Sequence, residues 1–269
     1  MTLLIGAGVA SGHAEPSLLD RGYRQMYNLQ FEDAHRSFAE WQKTHPSDPM
    51  GPVSDAAQYL FAEFDRMHIL QSEFFTHDQH FITDHKLTPD PDLKLKFDQA
   101  LAASRNLAGR APGDKNAIFA TILCNGLESN YQALIEKRYG ASFQRMKAGR
   151  MLAERLLASD PSYYDAWVAV GVENYMLSVK PAPIRWLLRL SGGETSRELG
   201  IEKLRLTAEK GRYLSPFAKL LLAVAAMRDH DTKQAGNLLA GLVKEFPQNP
   251  LYQQELERLD IQGVGSGTR

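Results

Sequence analysis

Residues 31–46 read Phe31-Glu-Asp-Ala34-His-Arg-Ser-Phe38-Ala-Glu-Trp41-Gln-Lys-Thr-His-Pro46, and they contain one complete amphipathic helix with its stop signal. At 3.6 residues per turn, Phe31, Ala34, Phe38 and Trp41 fall on one face, and Pro46 ends the helix because it lacks an N–H and clashes with the preceding turn. Twelve residues separate the small Ala34 from Pro46. The same spacing returns as Ala100 to Pro112, Gly149 to Pro161 and Ala235 to Pro247, with a bulky apolar residue seven places after each small one: Trp41, Leu107, Leu156 and Leu242. A small residue lets one helix of a hairpin approach the other, and the large one fills the space against the next hairpin. The pattern predicts helix, turn, helix from Ser17 onward, with no useful period-two strand signal.

Trp167-x2-Val170-Gly171 followed by Tyr175 supplies the other half of a hairpin: a tryptophan to plug it and a glycine where two backbones meet. With the junction Asp160-Pro-Ser-Tyr-Tyr-Asp-Ala-Trp167, these residues make the chain resemble the tetratricopeptide-repeat family over most of residues 17–260. It also resembles bacterial repeat proteins in which Gly211-Arg-Tyr-Leu-Ser-Pro216-Phe opens a helix and Glu245-Phe-Pro-Gln-Asn-Pro250-Leu closes the array. The resemblance implies an all-α fold, a right-handed superhelical stack of antiparallel helical hairpins over residues 15–262, ahead of a flexible tail at 263–269. It implies a non-enzymatic scaffold or adaptor that holds a peptide or helix of a partner protein in a groove, without a cofactor. Regular arrays repeat every 34 residues or so, whereas the prolines here lie 66, 49 and 86 residues apart. Long first helices are therefore expected at 53–75 and 115–138, an irregular connection at Thr76–Asp92 and an insertion at Ser178–Ser196.

Balanced charge, 31 basic against 32 acidic residues, removes the electrostatic footprint of a nucleic-acid binder. The basic run Lys137, Arg138, Arg145, Lys147, Arg150 and Arg155 is interleaved with Glu136 and Glu154 and reads as solvated helix faces. The lone Cys124, in an apolar helical run, reads as a small buried hydrophobe. Residues 1–14, MTLLIGAGVASGHA, fail as a dinucleotide fingerprint, because the last glycine is one place late and no βαβ pattern follows. They fit a signal peptide lacking its positive start, which predicts a periplasmic or secreted protein, with a cytoplasmic location as the alternative.

Polar residues inside the first helices are the candidate partner-binding set: Tyr23, Met26 and Tyr27, then Asn125, Glu128 and Tyr131, then Glu173 and Tyr175. The strings Glu128-Ser-Asn-Tyr131 and Glu173-Asn-Tyr175 are expected to face each other, with Arg185, Arg197 or Arg212 neutralising the carboxylates. An internal polar network is the competing reading of the same residues, and acid–base catalysis by the Glu128/Glu173 pair is a further one. His77, His80 and His85, with Asp78 and Asp84, could converge on a metal if their loop folded round it, but they lack a helical ligand frame and read as a polar loop. Trp186, between Arg185 and Arg189 in a short apolar insertion, offers peripheral membrane contact against the alternative of packing into the core. Leu190-Ser-Gly-Gly-Glu194 mimics an ATPase signature loop, but no phosphate-cradling G-x4-G-K-[ST] accompanies it.

Overall fold

The computed structural model describes residues 16–70, 87–178 and 196–266. Among them lie eleven α-helices and no strand. They are α1 (Leu18–Tyr27), α2 (Phe31–Thr44), α3 (Met50–Arg66), α4 (Pro91–Arg110), α5 (Lys115–Leu134), α6 (Tyr139–Ser159), α7 (Trp167–Ser178), α8 (Arg197–Lys210), α9 (Ser215–Arg228), α10 (Thr232–Glu245) and α11 (Pro250–Ser266). A short 3-10 turn, Tyr164–Ala166, leads into α7. Each helix packs against the next in the sequence, and α3 also touches α1 and α5.

The predicted proline stops govern the ends of α2, α4, α6 and α10. Each helix ends two residues before its proline, and the residue between, His45, Ala111, Asp160 or Phe246, leaves helical geometry with φ between −127° and −150° and ψ between 60° and 86°. A residue followed by proline is pushed out of the α region by the ring. A turn then closes each junction, as the N–H groups of Asp48, Asp114, Tyr163 and Asn249 donate to the carbonyls of His45, Ala111, Asp160 and Phe246 at 2.9–3.1 Å. The last residue of three of these turns caps the next helix: Asp48 accepts from Met50 N at 2.9 Å, Asp114 from Ala117 N at 3.0 Å and Asn249 from Leu251 N at 3.0 Å.

The intervening helices end differently. After α1, α3, α5 and α9 the chain passes through a left-handed residue, Leu29, His68, Lys137 or His230, with φ near 60°. The following N–H reaches back over the helix end in all four: Gln30 to Gln25 O at 2.9 Å, Ile69 to Phe64 O at 2.7 Å, Arg138 to Gln132 O at 2.7 Å and Asp231 to Ala226 O at 2.9 Å. This satisfies carbonyls that the helix terminus leaves open. Accordingly α3 stops at Arg66 rather than continuing to residue 75, and α5 stops at Leu134 rather than 138. At the other end of the chain, α11 continues to Ser266, into the stretch expected to be a tail.

Small residues set the tightest approaches. A Cβ on Gly171 would lie 3.1 Å from Gly200 O, and one on Gly200 would lie 2.6 Å from Tyr175 N, so the backbones of α7 and α8 meet there. Gly22 leaves room for the Phe38 ring, which would come within 2.3 Å of a Cβ. Ala34 and Ala235 are fully buried as expected, but in α4 the buried small residue is Ser104 and Ala100 lies only partly inside. Cys124 is buried, and burial pushes its thiol up to about 11.

The first helix also packs against the last third of the chain. Tyr23 stacks on Tyr213 with 4.8 Å between ring centroids, and the Tyr27 hydroxyl donates to Tyr213 O at 3.1 Å. The Tyr27 ring meets Phe246 at 5.5 Å and Phe61 at 6.1 Å. Asn249 Nδ2 donates to Tyr27 O at 2.9 Å, Gln248 N to Asn28 Oδ1 at 3.1 Å, and Arg212 forks over Asp20 at 2.7 and 2.8 Å. The loop that carries Arg212 and Tyr213 is itself fixed, because the buried Asp165 carboxylate accepts the N–H groups of Arg212, Tyr213 and Leu214 at 2.8–3.1 Å. The two ends of the helical stack are thus joined through buried aromatic rings and backbone hydrogen bonds.

Candidate functional site

Asn125, Glu128 and Tyr131 recur at every third position of α5, which places them on one side of that helix. Asn125 is buried against α6, where Gly149 lets the helices close: a Cβ there would lie 3.5 Å from Asn125 Cβ. Glu128 sits between two arginines. Arg105 Nη1 of α4 donates to Oε1 at 2.7 Å, and Arg145 Nε of α6 lies 2.7 Å from Oε2, an ion pair outside hydrogen-bond geometry. Tyr131 stacks on Phe97 of α4 at 5.3 Å, with the Lys94 ammonium 4.9 Å from its ring centre. Its hydroxyl has no partner among the described residues, and burial raises its pKa well above the ordinary tyrosine value.

On α7 the corresponding residues are Glu173, Asn174 and Tyr175, all buried. Arg150 of α6 reaches Glu173 Oε1 at 3.3 Å while its Nε holds Glu154 at 2.8 Å. Burial raises the Glu173 carboxyl against the opposing pull of Arg150. Asn174 is 1% exposed; its Nδ2 donates to Val170 O at 2.9 Å, and its Oδ1 is unpartnered among the described residues. Tyr175 lies beside Arg197, whose guanidinium is 5.9 Å from the ring centre.

The α5 and α7 groups are connected through α6, with Arg145 turned to Glu128 and Arg150 to Glu173. The expected cations were others. Arg212 holds Asp20 and Arg197 holds Asp229, while Arg185 lies outside the described residues. The arginines that do neutralise the carboxylates come partly from the run read as solvated, and Arg105 from a helix whose periodicity gave no such signal. Asn174, from the string Glu173-Asn-Tyr175, and Gln132, which the sequence did not single out, complete the polar set. Tyr23, Met26 and Tyr27, read as groove residues, are 3%, 1% and 4% exposed and belong to the core that joins α1 to the far end. A ligand could reach them only by displacing that packing.

His77, His80, His85 and Trp186 lie outside the described residues. Among those that are described, no group of three metal-ligating side chains converges, and no helix is long and apolar enough to cross a membrane. An open groove of about 410 Å³ runs between α8, α9 and α10, lined by residues such as Arg205, Leu222, Asn237 and Gly241. It is separate from the polar line and contains none of its residues. Guanidinium groups engage Oε1 of both carboxylates of the line, while Glu173 Oε2 has no hydrogen-bond partner among the described residues. Comparison with family models, with curated proteins and with solved structures finds no match in any of the three.

Proposed function

We propose that this chain is a non-enzymatic interaction scaffold of tetratricopeptide-repeat type that holds a segment of a partner protein along the polar line of α4, α5 and α7. The observation that carries the reading is a set of hydrogen-bonding atoms with no partner among the described residues: Arg105 Nη2, Tyr131 OH, Gln132 Oε1, Glu173 Oε2 and Asn174 Oδ1. A buried polar atom left unpaired costs about 1–3 kcal/mol. A chain that concentrates several on neighbouring helices gives up stability there; the protein's own side chains cover these atoms, so a partner's main chain, which alternates donors and acceptors, supplies the missing bonds by displacing that cover. Arg105 and Arg145, with side chains 33% and 45% exposed, border the line on its accessible side. The four proline junctions and the Gly171/Gly200 contact support the repeat-type architecture. The joined ends set it apart from an open array, so the partner is taken along the central helices rather than through a long uniform groove. The apolar run at residues 3–10 supports export, and the partner is sought in the periplasm or outside the cell.

Affinity capture from the native compartment tests this with the full chain and with Glu128→Gln, which keeps the side-chain shape but releases both arginines. A partner recovered by the parent and reduced roughly tenfold in the variant, about 1.4 kcal/mol, is the expected result. Equal recovery by the two, with circular dichroism showing both folded, would remove the polar line from binding.

A further inference from the structure

Between Glu136 and Ser159 the chain carries six cations against two carboxylates, within a protein whose overall charge is −1. The structure places five of these six cations, all but Lys137, in two groups. Arg138 is held by Glu136 at 3.3 Å, Arg145 by Glu128 at 2.7 Å, and Arg150 by Glu154 and Glu173 at 2.8 and 3.3 Å. Lys147 and Arg155 are exposed and form no ion pair among the described residues. They lie one turn to either side of Met151, whose side chain is 57% exposed although Gly149, Ala153 and Leu156 on the opposite side of α6 are buried. Lys147, Met151 and Arg155 follow one another at four-residue steps, so the three share the outward side of α6, with the cations about 12 Å apart along the axis.

An apolar centre with an unpaired cation at each end is complementary to a segment that carries an apolar side chain between two carboxylates. We propose that the outer side of α6 docks an acidic, amphipathic helical segment of a partner protein, with an aliphatic residue seated on Met151 and carboxylates two turns apart meeting Lys147 and Arg155. The inference rests on the scaffold reading in taking a protein as the ligand; Met151 and Arg155 lie away from the polar line, while the Lys147 charge also acts on its Glu173 carboxyl. Exposed ion pairs contribute little singly, so the contact with Met151 and the spacing of the two charges together supply the selectivity. Two cations are too few to follow a nucleic-acid backbone.

A displayed library of random peptides of about 15 residues, long enough for four helical turns, is selected against the full chain, and the winners are titrated by fluorescence anisotropy. Enrichment of peptides with Asp or Glu seven or eight positions apart around an aliphatic residue is expected. Their affinity should fall at least roughly tenfold for Lys147→Glu/Arg155→Glu and for Met151→Glu, and should weaken with salt. All three positions are exposed, so the variants should retain the parent's helical circular dichroism. Tyr131→Phe, which alters the polar line without freeing a cation on α6, should leave the affinity for these peptides unchanged, which separates this proposal from the one on the polar line. Three results would overturn it: no enrichment, winners without an acidic surplus, or winners that bind the α6 variants as tightly as the parent. Short duplex DNA bound at these residues in place of acidic peptides would also do so.

Discussion

Gly200→Val will cost the chain about 3 kcal/mol of unfolding free energy, at the upper end of overpacking changes. A Cβ at this position would lie 2.6 Å from Tyr175 N, 3.0 Å from Tyr175 Cα and 3.0 Å from Gly171 O, all of them backbone atoms of α7. A side chain can turn away from an intruding methyl, but a helix backbone can only move as a whole. Moving it would separate Leu204 from Gly171 and shift Tyr175 from Arg197, so the loss spreads along both helices. Gly241→Ala is the contrasting variant, because among the described residues no atom outside its own helix backbone and chain neighbours lies within 4 Å of its Cβ. It should gain about 0.5–1 kcal/mol from restricting the unfolded chain. Urea unfolding of the two variants beside the parent measures both signs in one series.

Tyr27→Ala will be at least as damaging, by about 3–5 kcal/mol on the scale of large aromatic truncations in cores. The ring touches Phe61 and Phe246, and the hydroxyl donates to Tyr213 O across 186 residues of sequence. Tyr27→Phe isolates the hydrogen bond and should cost about 1 kcal/mol. The excess of the alanine variant over the phenylalanine variant then reports the packing that joins α1 to the distant junction at Phe246. Hydrogen exchange should show faster exchange of the Arg212, Tyr213 and Leu214 amides in Tyr27→Ala, since their loop lies against α1. A loss below about 1 kcal/mol would mean that the two ends contribute little to each other.

The halves of this fold differ in how far local sequence reveals them. Helices that end before Pro46, Pro112, Pro161 and Pro247 were legible because proline acts on its own neighbours, whatever the rest of the chain does. The helices that end shortly before Leu29, His68, Lys137 and His230 were not, because glycine or asparagine usually marks a left-handed residue and none stands at these four positions. Gly171 was recognisable from its place after Trp167, whereas Gly200 had no neighbouring signal although it makes the closer backbone contact.

The site divides in a similar way. Asn125, Glu128, Tyr131 and Glu173 stood out as polar residues in apolar helices, and they do lie on one connected set of helices. Their true counter-ions, Arg105, Arg145 and Arg150, depend on which helix faces which, and no spacing within a single helix encodes that. Tyr23, Met26 and Tyr27 have the composition of a binding surface and the burial of a core, because the residues that cover them come from about 190 to 220 positions further along the chain.

Tyr131→Phe puts the proposed use of the polar line to its most direct test. The substitution keeps the ring that stacks on Phe97 and removes a buried hydroxyl with no internal partner among the described residues. Thermal unfolding of the purified variant should give a midpoint equal to or above the parent's, because no bond to a described residue is lost and a desolvated hydroxyl is removed. In the same preparation, recovery of the captured partner should fall. A midpoint several degrees below the parent's, with capture unchanged, would show that the hydroxyl serves the fold, and the account of the polar line as a partner site would be wrong.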